Sequence, residues 1–218
     1  METRLALASV EALRDPALFA RGLASVSEQR REKVARLRAE GARCLSLGAA
    51  LLLDRLLADA DLPPAGAFAF GERGKPYLPD RPNVHFSLSH SGSWVLCALS
   101  EAEIGCDAEG PRHCDLALAR RFFHPDETAW LLSLPPREQD AAFRRLWTLK
   151  ESYVKAVGLG LSLPLDAFRI LPGGEGFALT APLDARPWTL KSLASEDCFC
   201  AVCAVLPPKT LERVSLFP

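Results

Sequence analysis

The chain has 218 residues, 49% of them hydrophobic and 24% charged, and a formal net charge of −1. This is the composition of a globular protein, and the charge gives no reason to expect nucleic acid or an anionic membrane as a partner. The longest apolar run, LGAALLL, is too short to span a bilayer, and no signal peptide is visible, so we expect a cytoplasmic protein.

The first half of the chain predicts helices followed by strands. Ser25 and Glu28 stand at capping-box spacing ahead of a basic helix that contains Arg30 and Lys33. A more apolar helix follows over residues 42–58. Alternation of apolar and polar residues then predicts strands at FAF, VHFSL, WVLCALS and IGCDAE.

The second half repeats helices and strands without a visible sequence repeat. The segments DLALARRFF and HPDETAWLL predict helices, the second with His124 as a cap and Pro125 in its first turn. A long helix follows in REQDAAFRRLWTLKESYVKAVGLGL and closes at Gly158 and Gly160. Strands are predicted at FRIL, FALT, WTLKSL and CFCAVCAVL. The pattern indicates an α+β fold with a boundary near residues 100–105.

Seven cysteines make no even disulfide framework, and most have apolar neighbours, so we expect reduced, buried thiols. Cys200 and Cys203 have C-x-x-C spacing, but no second pair or nearby histidine completes a zinc site. The run CFCAVC also fits a strand. We therefore predict that these thiols serve core packing.

Two carboxylates stand two residues apart in the strand candidate IGCDAEG. In an extended chain Asp107 and Glu109 leave the same face, where their charges repel unless a cation compensates them. Glu151 on the long helix supplies a third acid, four residues before Lys155. Three carboxylates would suit Mg²⁺. A solvated helix face with a Glu151–Lys155 pair is the alternative, because spacing alone does not bring the helix to the strand.

Three further segments carry groups that suit an anion. FSLSHSGSW sets Ser89 and His90 between two apolar runs, in what we expect to be a loop able to hold a phosphate. GKPYLP places Lys75 in a rigid turn, and the basic helix offers Arg30 and Lys33. Each has an ordinary alternative: a loop without a ligand, a solvated turn lysine and a solvated helix face.

The order of the motifs is more specific than any one of them. Five segments resemble, in order, those of the Sfp-type 4′-phosphopantetheinyl transferases: GKPYLP, FSLSHSGSWVLCALS, IGCDAEG, ARRFFHPDE and LWTLKESYVKAVGLGLSLPLDAF. The family pattern has a G-K-P turn, an S-H-S segment, a G-[IV]-D-[IV]-E strand and a W-x-x-K-E-[SA]-x-x-K-A-x-G helix. The match spans at least residues 71–168. Cys106 and Ala108 depart from the family's branched residues, but neither is a predicted ligand.

This resemblance implies two similar α/β halves, residues 1–103 and 104–218, related by pseudo-twofold symmetry with coenzyme A in the cleft between them. Asp107, Glu109 and Glu151 would hold Mg²⁺, or Mn²⁺, against the pyrophosphate of coenzyme A. Further contacts to coenzyme A would come from Arg30, Lys33, Lys75, Ser89, His90, Asp107 and Lys155.

The resemblance also implies an activity. The serine hydroxyl of an apo acyl or peptidyl carrier protein would attack the β-phosphate of coenzyme A, and the 4′-phosphopantetheine arm would move to that serine as adenosine 3′,5′-bisphosphate leaves. Glu151 would act as the base, directly or through a water molecule, and Lys155 would offset the developing charge. Carriers of fatty-acid, polyketide and nonribosomal peptide synthesis all fit, and a monomer is expected.

Two other functions share part of this pattern. A catalytically silent module that only binds coenzyme A or a carrier protein would have no need to keep the three acids and Lys155. A Mg²⁺-dependent phosphohydrolase would use the acids, but it gives no reason for the K-E-x-x-x-K helix. We therefore expect the transferase.

Overall fold

A computed structural model describes residues 2–110, 116–174, 176–182, 184–194 and 198–217. The helices in these ranges are α1 (Pro16–Ser25), α2 (Glu28–Arg36), α3 (Glu40–Ala58), α4 (Leu116–Phe122), α5 (Pro125–Ser133) and α6 (Pro136–Val157). Short 3₁₀ helices lie at Glu11–Arg14, Gly160–Ser162 and Leu165–Ala167. Among the residues described, no helix combines the length and apolar character needed to traverse a bilayer.

The strands form two main sheets, one mixed and one antiparallel, and two small hairpins. They are β1 (Arg4–Ser9), β2 (Ala69–Phe70), β3 (Pro76–Tyr77), β4 (His85–Ser91), β5 (Trp94–Ser100), β6 (Ile104–Glu109), β7 (Arg169–Gly173), β8 (Gly176–Thr180), β9 (Thr189–Ala194), β10 (Phe199–Ala204) and β11 (Glu212–Arg213). The first sheet has the order β11-β1-β5-β4, with a parallel β1–β11 pair, and the second has the order β6-β10-β9. The hairpins are β2–β3 and β7–β8.

Each main sheet is covered by one long helix, and the two sheets share a core. The period-two alternation of strands explains the arrangement. On β1, Ala6 and Ala8 pack in the cluster that contains α3, whereas Leu5 and Leu7 point to the other side. There they meet residues of β6 and β10, such as Cys106. The α+β class is confirmed, with one helix-covered sheet in each half.

The division at residue 103 is less simple than the sequence suggests. The chain returns to the first sheet at its far end, where β11 pairs with β1. Leu216 and Phe217 then pack in the core of the first half. The boundary between 1–103 and 104–218 therefore stays a prediction, because part of the second segment lies on the first sheet.

Two expectations about local structure were wrong. Ser25 and Glu28 do not form a capping box: Ser25 ends α1, and its hydroxyl donates to the Gly22 carbonyl at 2.8 Å. The serine at the start of α2 is Ser27. The segment with Ser89 is a strand and not a loop, because its alternate hydroxyls face a neighbouring strand at period two.

Other local expectations are confirmed. His124 caps α5, since its Nδ1 accepts from the Asp126 N–H at 3.2 Å and its own N–H donates to Glu127. All six described cysteines are free and buried. Cys200 packs between the sheets and Cys203 against α6, so the C-x-x-C pair points to opposite faces of β10. The seventh cysteine, Cys114, falls outside the described residues.

Candidate active site

Three elements meet at one contact between the halves of the chain. The Nζ atom of Lys155, on α6, donates to Asp107 Oδ1 on β6 at 2.7 Å and to Ser89 Oγ on β4 at 3.0 Å. The Ser89 hydroxyl donates in turn to the same carboxylate oxygen at 2.8 Å. Asp107 and Ser89 are buried, whereas Lys155 is partly exposed. The three predicted residues thus come together from distant parts of the sequence.

The other two predicted acids act on this cluster through their charge. Burial raises the pKa of Glu151, and the charges of Asp107 and Glu109 raise it further, whereas Lys155 lowers it. Negative charges that disfavour each other's ionisation must lie near one another. The three acids therefore influence one another electrostatically, and their role as ligands of one ion stays a prediction.

The acids do not form a closed metal site. Within the part of the chain that the structure describes, no three His, Cys, Asp or Glu side chains converge closely enough to hold a metal ion. Their chemistry fits Mg²⁺, because carboxylate oxygens are its preferred ligands and mutual repulsion is what a cation relieves. The cation beside Asp107 here is Lys155.

The charge states of the basic groups follow from the same contacts. Burial is the largest influence and opposes the charge on Lys155, but Asp107, Cys106 and Glu151 together raise the pKa of this lysine, so its ammonium stays protonated. Partial loss of hydration and the Lys155 charge lower the pKa of His90. His90 is therefore mostly neutral at pH 7 and can donate or accept a hydrogen bond.

The two predicted residues of α2 have different surroundings. Lys33 is exposed, and its charge contributes to the lowered pKa of His90, so it lies on the same side as the cluster. Arg30 is buried: its guanidinium stacks over Phe68 at 5.0 Å, and Nη1 lies 3.4 Å from Ser46 Oγ. Lys33 is thus the freer of the two for a ligand.

Lys75 ties the hairpin turn of the first half to the second half. Its Nζ donates to the carbonyl oxygen of Ala156 at 2.7 Å and to that of Ile104 at 3.3 Å. The first carbonyl lies near the end of α6 and the second at the start of β6. Burial lowers the pKa of Lys75. The predicted ligand lysine thus binds backbone oxygens in this structure.

A cavity of about 670 Å³ opens beside the cluster and has walls from both halves. Residues 73–76 and Phe86 line it from the first half, and Trp147 and Phe122 from the second. Glu151 and Lys155 also line the cavity, so the charged cluster borders an otherwise largely apolar space.

A buried ion pair that the sequence analysis missed supports α6. Lys150, next to Glu151, has its Nζ 2.6 and 2.7 Å from the two carboxylate oxygens of Glu127, and both side chains are fully buried. Glu127 also accepts the N–H of Ile170 at 2.6 Å. In the sequence, Glu127 stands three residues after the helix cap His124, which predicts a capping box but not a buried partner for Lys150.

Comparison with known proteins identifies relatives of this chain. The family model for the 4′-phosphopantetheinyl transferase superfamily matches residues 103–203. A 4′-phosphopantetheinyl transferase of Bacillus subtilis is 38% identical over 191 residues, 86% of this chain and 85% of that protein. The 4′-phosphopantetheinyl transferase Sfp of Bacillus subtilis strain 168 is 36% identical over 201 residues, 89% of this chain and 90% of that protein.

Among solved structures, the holo-[acyl-carrier-protein] synthase of Thermotoga maritima matches 47% of this chain and 62% of its own, with a TM-score of 0.42 and 17% identity. The assignment rests instead on the two curated relatives, each of which is matched over most of its length. By this similarity, the chain belongs to the 4′-phosphopantetheinyl transferase superfamily.

Proposed function

We propose that this protein transfers the 4′-phosphopantetheine arm of coenzyme A to a serine of an apo acyl or peptidyl carrier protein and releases adenosine 3′,5′-bisphosphate. The observation that carries the proposal is the contact of Lys155 with Asp107 and Ser89, beside a cavity with walls from both halves. At this contact a positive charge, carboxylates and a cavity large enough for a ligand lie together, in a chain that belongs to the 4′-phosphopantetheinyl transferase superfamily.

The cavity and its rim suit the two ends of coenzyme A. A volume of about 670 Å³ falls within the usual range for small-molecule sites. Its apolar walls, including Trp147 and Phe122, can take the pantetheine arm. The phosphates would lie towards Lys33, His90 and Lys155, where positive charge and hydrogen-bond donors collect.

The other proposed coenzyme A contacts differ in how firmly other groups of the protein already hold them. Ser89 and Asp107 already bind Lys155 and can orient it towards a phosphate. Arg30 and Lys75 stay in the proposed coenzyme A site, but each is held by other groups, so we assign them contact at its edge. Their loss should weaken binding less than loss of Lys155.

Asp107, Glu109 and Glu151 would hold Mg²⁺ or Mn²⁺ there, and the ion would neutralise charge on the pyrophosphate. The protein's own groups have separate tasks. The raised pKa of Glu151 makes it a stronger base than an ordinary carboxylate, suited to accept the proton of the carrier serine. As the serine oxygen bonds to the β-phosphate and the bond to the leaving bisphosphate breaks, Lys155 offsets the charge on the phosphate oxygens.

A mass measurement tests the proposal. The protein is incubated with coenzyme A, Mg²⁺ and an apo carrier protein, and the carrier should gain the mass of one phosphopantetheine arm. Coenzyme A binding without a gain would favour the silent module, and phosphate release without a carrier would favour a phosphohydrolase. Asp107→Ala and Glu151→Ala should abolish the gain, whereas His85→Ala and Cys203→Ala should retain it.

We also propose that the protein acts as a monomer. Both walls of the cavity come from one chain, so a second copy has no wall to supply. Light scattering at working concentration should give the mass of one chain. A panel of apo carriers from fatty-acid, polyketide and nonribosomal peptide synthesis would then define which carriers are served.

A further inference from the structure

Strand β4 contacts β6 through a row of three hydroxyls, here named the serine ladder: Ser87, Ser89 and Ser91. Their Oγ atoms accept backbone N–H groups of β6 and of the residue that follows it. The bonds run from Cys106 to Ser87 at 3.0 Å, from Ala108 to Ser89 at 3.3 Å and from Gly110 to Ser91 at 2.9 Å. Each bond spans 19 residues, so β4 and β6 run parallel and in register. Side chains thus take the place of a backbone partner.

The ladder meets a requirement of β6. This strand pairs with β10 along one edge, and the N–H groups of alternate residues point to the other edge. Those groups are buried, and a buried N–H without an acceptor is costly. All three ladder serines are themselves 6–7% exposed, so their hydroxyls are directed inward.

The ladder fixes the peptides that follow the two strand acids. The Ala108 N–H belongs to the peptide that begins at Asp107, and the Gly110 N–H belongs to the peptide that begins at Glu109. Ser89 holds the first peptide and also contacts the Asp107 carboxylate directly. Ser91 holds the second peptide. The two acids are thus supported by equivalent bonds two residues apart.

We propose that Ser91 is a positioning residue for Glu109: its hydroxyl fixes the Glu109–Gly110 peptide and so directs the Glu109 carboxylate towards the proposed ion site. The inference rests on the proposed function, because it assigns Glu109 to that site. Ser91 would act through the backbone, and the hydrogen bond that its hydroxyl accepts from the Gly110 N–H is the observation that supports this role. Groups that orient an ion's ligands typically change its affinity about 10- to 100-fold when removed.

The test compares Ser91→Ala with Ser100→Ala. Ser100 is a matched control, because its hydroxyl is also buried and accepts a backbone N–H, that of Ala102, at 3.2 Å. It is the last residue of β5, whereas Ser91 pairs with the first residue of that strand. Ser91→Thr keeps a hydroxyl, and valine in Ser91→Val has nearly the same shape as threonine but no hydroxyl. If Ser91→Ala does not fold, comparing the Thr and Val variants still shows whether the hydroxyl is needed for ion binding.

Two quantities are measured: the Mn²⁺ affinity in the presence of coenzyme A by calorimetry, and the Mg²⁺ dependence of transfer. Ser91→Ala and Ser91→Val should weaken Mn²⁺ binding roughly 10-fold or more. Ser91→Thr should stay close to the wild type, and Ser100→Ala should lower the melting temperature about as much as Ser91→Ala while leaving the affinity unchanged.

Equal Mn²⁺ affinity in Ser91→Val and Ser91→Thr would overturn the inference and leave Ser91 a structural residue, as would a wild-type protein that binds no Mn²⁺. The proposed function fails separately. A wild type that transfers nothing, but whose Mn²⁺ affinity still falls in Ser91→Ala, would sink the transferase proposal and retain the positioning role.

Discussion

Gly105 on β6 lies against the backbone of Ser152 on α6: a Cβ on residue 105 would stand 2.1 Å from the Ser152 carbonyl oxygen. It would also stand 2.2 Å from the Ala156 nitrogen. Backbone atoms cannot rotate away, so Gly105→Ala must push α6 from β6 and separate Lys155 from Asp107. We expect most transfer activity to be lost, and the free energy of unfolding, measured in urea, to fall by about 1–3 kcal/mol or more.

Gly41→Ala is the control for this substitution. Gly41 lies in α3, and a Cβ there would meet nothing within 4 Å. Alanine also favours a helix over glycine, by about 0.5–1 kcal/mol in a helix interior. This variant should be as stable as the wild type or slightly more so, and fully active. Full stability and activity in Gly105→Ala would contradict the close approach of the two backbones.

Lys155→Met should reduce kcat at saturating coenzyme A by about 100- to 1,000-fold, the cost of one preorganised group that meets developing charge. The substitution also leaves Asp107 buried without its cation, so the melting temperature should fall. Lys209→Met is the control, since that lysine is largely exposed. A loss in Lys155→Met no larger than in the control would exclude a role for Lys155 at the phosphate.

The parts of the fold that follow local patterns could be predicted from the sequence. Helix α6, the first half of β4 and strands β5 and β6 have clear periodicity, and glycine in the left-handed conformation ends α6 at Gly158. Strand β1 was missed because its RLALAS sequence is rich in alanine and leucine, which favour helices. It is a strand only because β5 and β11 pair with it from distant parts of the chain.

The candidate site shows the same limit. Period two put Asp107 and Glu109 on one face, and helical spacing put Glu151 beside Lys155. Their meeting depends on the approach of α6 to β6 at Gly105, which no local pattern encodes. The partners of Lys75 and the row of bonds made by the ladder serines also depend on how distant backbones pack.

Removing one charge of the buried Lys150–Glu127 pair should destabilise the protein much more than removing both charges. Lys150→Met leaves the Glu127 carboxylate buried without its cation, so the free energy of unfolding should fall by about 3–5 kcal/mol. Adding Glu127→Gln should recover much of this loss, because glutamine still offers an oxygen to the Ile170 N–H. Urea denaturation measures both. A double variant as unstable as the single one would refute this account.

Asp184 should make the stability depend on acid pH. Burial alone would raise the pKa of its carboxyl, but hydrogen bonds from Arg186 and Trp188 and the Arg186 charge hold that pKa well below its usual value. As the pH falls, the unfolded chain takes up the proton first, near pH 4, so this stabilisation is complete above about pH 5 and then declines progressively as the pH falls towards the lower pKa of the folded state. Asp184→Asn should be less stable than the wild type at pH 6 but lose less stability towards pH 3, measured by urea denaturation across that range. Parallel pH profiles of the two proteins would show that the carboxylate does not contribute in this way.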